Sequence, residues 1–91
     1  MTVQEMTDKV IEIEKRDELV IHFAYEPKEQ MYGFYVFKDH ARLVRRFPVE
    51  EISKWHIEDF EAQLERMSDE IWAFVARHRY RKVSQTKEVV E

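Results

Sequence analysis

The most constraining feature of the sequence is a stripe of large side chains between residues 57 and 78. The stripe repeats at alternating steps of three and four residues and consists of Ile57, Phe60, Leu64, Met67, Ile71, Phe74 and His78. Because an α-helix has about 3.6 residues per turn, this spacing places the stripe on one side of a helix of roughly six turns. It therefore predicts a long amphipathic helix that packs against another layer of the fold.

The same segment is apolar on more than one side over residues 71–76. Trp72 and Val75 lie beside the main stripe and widen its apolar surface. A helix that packs on a sheet with one side and faces water with the other does not need this width. The pattern predicts that something besides the protein's own sheet covers Trp72.

Three segments upstream of this helix have the composition of β-strands. Residues 19–26 alternate between heavier and lighter side chains, residues 31–37 are almost wholly apolar and aromatic, and residues 41–47 return as a further strand. Pro48 ends the sheet because it lacks the backbone donor that a strand ladder needs. We predict an α+β fold in which a small antiparallel β-meander of three to four strands packs against one long C-terminal helix.

The first fifteen residues support two interpretations. A capping-box pattern at Thr2 is followed by apolar residues at helical spacing as far as Ile13. Residues 10–14, however, alternate in polarity and are mostly β-branched, which favours a strand. We therefore predict a strand at residues 9–15, after a short helical or frayed start at residues 1–8.

Length and composition narrow the class of protein. The chain of 91 residues is predicted to form one domain, residues 1–91, with a frayed end at about residues 83–91. The absence of cysteine excludes disulfides and thiolate metal sites and favours a reducing compartment. No apolar run reaches the ~18 residues of a membrane span. These features predict a cytoplasmic protein without a membrane partner.

Residues suited to catalysis or metal binding are scattered along the chain. Neighbouring histidines are at least 16 positions apart, and no serine has the flanking glycines of a nucleophile elbow. His56 and Asp59 lie one helical turn apart, like a base and its orienting acid, although such pairs are common at solvated helix starts. We predict no enzymatic activity, no metal site and no cofactor.

An aromatic and basic sheet face is one candidate binding surface. Five side chains of the predicted strands are expected to share that face, namely His22, Tyr35, Phe37, Arg42 and Arg46. Rings beside guanidinium groups can stack on the bases of single-stranded nucleic acid. The alternative interpretation is that the rings belong to the core and the arginines extend outward over apolar surface. The net charge of −4 argues against general affinity for nucleic acid.

An acidic row on the long helix suggests another alternative, a DNA-mimicking inhibitor. Its carboxylates recur at steps of three and four residues, at Glu58, Glu61, Glu65 and Asp69. Such a row can imitate the phosphates of DNA, although it is more often a solvated helix face.

A helical N-terminus would also give the element order α-β-β-β-α of a double-stranded-RNA-binding domain. Acidic residues, however, stand at the start of the long helix, where such a domain needs lysine.

The function that we favour is a small non-enzymatic protein–protein interaction module, such as an adaptor, an inhibitor or an accessory subunit. We expect it to form a homodimer or to join another protein. The predicted interface combines the apolar part of the helix with sheet aromatics and a charged rim, and consists of Tyr35, Phe37, Ile71, Trp72, Val75 and Arg79.

Overall fold

A computed structural model describes residues 1–79 and 89–90 and shows two long helices on one face of a sheet. Its elements, in chain order, are α1 (Val3–Asp17), β1 (Val20–Glu26), β2 (Met31–Lys38), β3 (Ala41–Pro48), α2 (Val49–Ile52), α3 (Ile57–Arg79) and β4 (Val89–Val90). The predicted α+β class, with an antiparallel meander and a long C-terminal helix, is confirmed.

Strand β2 lies in the middle of the meander, between β1 and β3. Both neighbours pair with it in the antiparallel sense, so that Val36 faces Ile21 on one side and Leu43 on the other. The short strand β4 joins β3 in parallel, with Val89 opposite Ala41. The central position of β2 explains why its sequence is apolar on both faces.

The core forms where α1 and α3 cover one face of the sheet. Its buried apolar side chains are Met6, Val10 and Ile13 from α1, Leu19, Ile21, Phe34, Val36, Ala41 and Leu43 from the sheet region, Ile52 from α2, and Phe60, Leu64, Met67, Ile71 and Val75 from α3. The middle of the predicted stripe is thus in the core, with Phe60, Leu64 and Met67 at most 1% exposed. Ile57, Phe74 and His78, at its two ends, are half-buried.

The prediction of a strand at residues 9–15 is wrong, because these residues belong to α1. The helix begins at Val3, within the segment 1–8, and Thr2 and Glu5 form both hydrogen bonds of a capping box. Helical spacing buries Val10 and Ile13 together, whereas the alternation of a strand would place them on opposite faces. Most of residues 83–91 lie outside the described residues.

A short helix and a break separate the sheet from α3. The short helix is α2, and α3 begins after Trp55 and His56. The Asp59 carboxylate accepts a hydrogen bond from the backbone N–H of His56 at 2.9 Å. Asp59 therefore caps the start of α3 rather than orienting the His56 imidazole.

Candidate interaction surface

The face of the sheet opposite the helices is the main candidate for a binding surface. Side chains alternate along a strand, so every second residue of the meander points away from α1 and α3. We call this surface the open face, and its residues are Val20, His22, Ala24, Glu26, Met31, Gly33, Tyr35, Phe37, Arg42, Val44, Arg46 and Pro48. None of them belongs to the core that the described helices form with the sheet.

The open face brings together the five side chains of the predicted aromatic and basic surface. The strand register places His22 opposite Tyr35, and Phe37 opposite Arg42. The rings of His22 and Phe37 meet edge to face, with centroids 5.9 Å apart. Arg46 lies opposite Gly33, on the same face and four residues after Arg42 on β3. Alternation along the strands was enough to group these residues, and their function stays a prediction.

Tyr35 does not stand upright on the open face but lies over Gly33. A β-carbon built on Gly33 would come within 2.7 Å of Tyr35 Cε2 and 2.9 Å of the Tyr35 hydroxyl. The hydroxyl donates a hydrogen bond to Glu26 Oε2. The one glycine of the chain is therefore needed for the space above it, which the tyrosine ring fills.

Glu26 links this tyrosine to the basic side of the open face. Its Oε1 lies 3.2 Å from Arg46 Nε, and the Glu26 side chain is only 19% exposed. The interaction with Tyr35, followed by the charge of Glu26, raises the pKa of the Arg46 guanidinium. Glu26 and Gly33 also belong to this surface, although neither was predicted from the sequence. The alternation of β1 could have found Glu26, because it shares the phase of His22.

The two arginines of the open face differ in their surroundings. Arg46 is held by Glu26, and half of its side chain remains exposed. Arg42 is exposed and makes no ion pair with any residue in the described part of the chain. The open face also carries apolar side chains that are exposed or half-buried, namely Val20 on β1, Met31 and Phe37 on β2, and Val44 on β3. The open face thus has apolar side chains on all three strands and positive charge along the β3 side.

The part of the predicted interface on α3 lies mostly inside the protein. Ile71 and Val75 are 3% and 5% exposed and belong to the core, so they offer no surface to a partner. Trp72 donates its indole N–H to the Asp17 carbonyl at 2.8 Å, and Lys38 Nζ lies 4.4 Å from the ring centroid. The cover predicted for Trp72 therefore includes the end of α1. The side chain of Arg79 lies outside the described residues.

Half of the acidic row on α3 is neutralised by cations of α1. Glu61 lies 3.3 Å from Lys9, and Glu65 lies 3.0 Å from Arg16. Glu58 and Asp69 are exposed. The four carboxylates therefore do not form a continuous unpaired row of the kind that would imitate phosphates.

The described residues contain neither a cluster of metal ligands nor a membrane-spanning helix. Within residues 1–79 and 89–90, no three histidine, aspartate or glutamate side chains are grouped so that they could hold a metal ion. None of the described helices contains an apolar stretch that could span a lipid bilayer. No protein-family model, curated protein or solved structure matches this chain.

Proposed function

We propose that the protein is a non-enzymatic interaction module that binds another protein through its open face. The observation that carries the proposal is the composition of this face, where Phe37, Val20 and Val44 remain accessible beside two arginines. Aromatic residues and arginine are enriched in protein interfaces, where they often supply most of the binding energy.

The charges of the open face indicate the chemistry of the partner. Arg42 and Arg46 outnumber Glu26, although the whole chain carries a net charge of −4. Both arginines lie on β3 beside apolar side chains, and this arrangement suits a partner surface that combines apolar side chains with carboxylates on one side. A partner of this kind would cover Phe37 and bring an acidic group to Arg42.

The experiment places a photoreactive phenylalanine analogue at position 37 and irradiates the cells that make the protein. The matched control carries the analogue at Ile11, which is 43% exposed on α1, away from the sheet. We expect a discrete covalent adduct from position 37 that is absent from position 11. The adduct identifies the partner, which is then purified for binding measurements.

Binding of the purified partner is measured by calorimetry with the wild type and with Phe37→Ser and Ile11→Ser. We expect Phe37→Ser to weaken binding at least tenfold, about 1.4 kcal/mol, and Ile11→Ser to leave it unchanged. Equal adducts from the two positions, or a partner that binds Phe37→Ser as tightly as the wild type, would refute the proposal.

Single-stranded nucleic acid is the second candidate ligand, and one observation favours it. His22, Tyr35 and Phe37 lie on the same face as two arginines, as a stacking surface requires. Tyr35 and Arg46 are, however, engaged by Glu26, whose negative charge repels phosphate. The helix α3 also begins with the acidic residues Glu58 and Asp59, at the position where a double-stranded-RNA-binding domain needs lysine.

Fluorescence anisotropy with labelled single-stranded oligonucleotides decides between the two ligands. We expect no binding above background at moderate salt. Saturation at low micromolar protein, weakened by salt and by replacing both Arg42 and Arg46 with alanine, would make nucleic acid the ligand of the open face.

A further inference from the structure

The outer edge of β1 is the least protected edge of the sheet. The backbone N–H of Ile21 donates to Glu14 Oε2 at 2.8 Å, so it points away from β2. Because backbone groups alternate along a strand, those of Phe23 and Tyr25 point to the same outer side. β1 is the terminal strand on this side of the described sheet. Among the described residues, nothing pairs with the outward donors and acceptors of Phe23 and Tyr25.

The opposite edge of the sheet is protected in several ways. The short strand β4 pairs with β3 at Ala41 and Arg42. Further along, Arg45 Nη1 donates to the Val44 carbonyl at 3.4 Å, and Pro48 has no N–H to offer. On β1 the corresponding protection comes from the Glu14 carboxylate, which accepts the hydrogen bond of the Ile21 N–H. Val20 and Tyr25, on the two faces of β1, are each 52% exposed.

We propose that the β1 strands of two copies of this chain pair antiparallel along this edge, around a twofold axis at Ala24. In this register Phe23 of each copy lies opposite Tyr25 of the other, and their outward backbone groups form the hydrogen bonds. The register leaves Ile21 outside the new ladder, so the hydrogen bond from its N–H to the Glu14 carboxylate remains in place. The two meanders become one continuous sheet.

The side chains of β1 are complementary to themselves in this register. On the open face, Ala24 meets Ala24 at the axis, where a small residue allows close approach, and His22 lies opposite Glu26. On the helix side, Phe23 and Tyr25 both pack against Tyr32, with ring centroids 5.0 and 5.5 Å away, and the new pairs extend this aromatic row. No pair places like charges together, so a second copy suits this edge.

A cysteine at the twofold axis tests the register directly, because the chain has no cysteine of its own. Ala24 would face its counterpart in a non-hydrogen-bonded pair, with Cα atoms about 4.5 Å apart, a separation that a disulfide can span. The control position, His22, lies on the same strand and face. It would sit four residues, about 13 Å, from its counterpart.

We expect mild oxidation to convert Ala24→Cys to a covalent dimer and to leave His22→Cys uncrosslinked. Equal crosslinking of the two variants, or none in either, overturns the proposed register. Because Phe37 lies on β2 and outside the new ladder, Phe37→Ser should not alter crosslinking of Ala24→Cys. This result separates the edge from the partner surface proposed above.

Proline at position 25 tests the hydrogen bonds of the edge. It removes an outward N–H while sparing the ladder with β2, whereas the control Tyr25→Thr loses the ring and keeps the N–H. Light scattering coupled to size exclusion should give twice the chain mass of 11.2 kDa for the wild type and Tyr25→Thr, and one chain for Tyr25→Pro. A wild type that is monomeric at high micromolar concentration overturns the proposal.

Amide hydrogen exchange of the wild type gives a result that does not depend on any variant folding. The amides of Phe23 and Tyr25 should be protected at high concentration and lose protection on dilution, because they face the second copy. Those of His22 and Ala24, which face β2, should stay protected throughout. Exchange of Phe23 and Tyr25 at the rate of exposed backbone would show that the edge is unpaired.

Discussion

Replacing Gly33 with alanine tests whether the Tyr35 ring is held over the sheet. The added β-carbon would lie 2.7 Å from Tyr35 Cε2 and 2.9 Å from the Tyr35 hydroxyl, closer than these atoms can approach without movement. Tyr35 can relieve the contact by rotating away, since it is half-buried on the open face. It would then lose its hydrogen bond to Glu26. We therefore expect the substitution to destabilise the fold through Tyr35.

Two opposing contributions set the magnitude of this effect. A hydrogen bond to a charged acceptor contributes about 1.5–3 kcal/mol, and the lower end applies because Tyr35 is partly exposed. Alanine in the interior of a strand is more stable than glycine by about 0.5–1 kcal/mol. The difference predicts that Gly33→Ala lowers the free energy of unfolding by about 1 kcal/mol. Without the Tyr35 ring, only the favourable contribution of alanine remains.

A double-mutant cycle with Tyr35→Ala measures this reversal of sign. Urea unfolding followed by tryptophan fluorescence gives the free energy of unfolding of all four proteins in the cycle. We expect Gly33→Ala to destabilise the wild type and to stabilise the Tyr35→Ala protein by about 0.5–1 kcal/mol. Equal destabilisation in both backgrounds would refute the role of Tyr35 and place the strain in the backbone.

Three further predictions concern the helices. Leu64→Ala should lower the free energy of unfolding by about 2–5 kcal/mol in urea melts, since Leu64 is 1% exposed and the change leaves a cavity; a loss below about 0.5 kcal/mol would contradict its place in the core. Thr2→Ala should cost about 1 kcal/mol in the same assay by removing the cap of α1, whereas no change would show that the cap is dispensable. Hydrogen bonds from Arg16 and then from Ser68 lower the pKa of Asp17 in the folded protein. The ionised Asp17 carboxylate therefore stabilises the fold fully above its ordinary pKa of 3.8, and this stabilisation is lost as pH falls through the lower pKa of the folded state. Asp17→Asn should therefore lose less stability than the wild type when urea melts are repeated below about pH 4, and parallel losses would contradict this assignment.

The long helix and the meander were predictable because their patterns repeat. The stripe from Ile57 to His78 keeps the spacing of a helix over roughly six turns, and a pattern of this length predicts a helix. The same alternation that predicts β1, β2 and β3 also assigns each side chain to a face. His22, Tyr35 and Arg42 could therefore be grouped before the sheet was known.

The N-terminal helix was missed because local preference and tertiary packing disagree there. Residues 10–14 are rich in β-branched side chains, yet a strand would leave Val10 and Ile13 on opposite faces. In α1 both side chains reach the core beside α3. The preference for a strand is weaker than this burial. The capping box at Thr2 was the local signal that predicted the outcome.

The surroundings of Trp72 and Tyr35 could not be predicted for a related reason. Trp72 contacts the Asp17 carbonyl, 55 residues earlier in the chain, and its cover depends on where α1 docks. Tyr35 lies over Gly33, a contact that depends on the rotation of one side chain. Periodicity reports which side of an element a residue occupies. It does not report the direction in which that side chain extends afterwards.

The docking of α1 onto α3 also has a consequence for the order of folding. The side-chain bonds that join the two helices link residues 49–55 positions apart, whereas each hairpin of the meander pairs neighbouring segments. Contacts that close a long loop are expected to form late. The meander with α3 is then the early structure, and the capture of α1 completes the core. Substitutions in α1 should mainly speed unfolding and leave the folding rate almost unchanged.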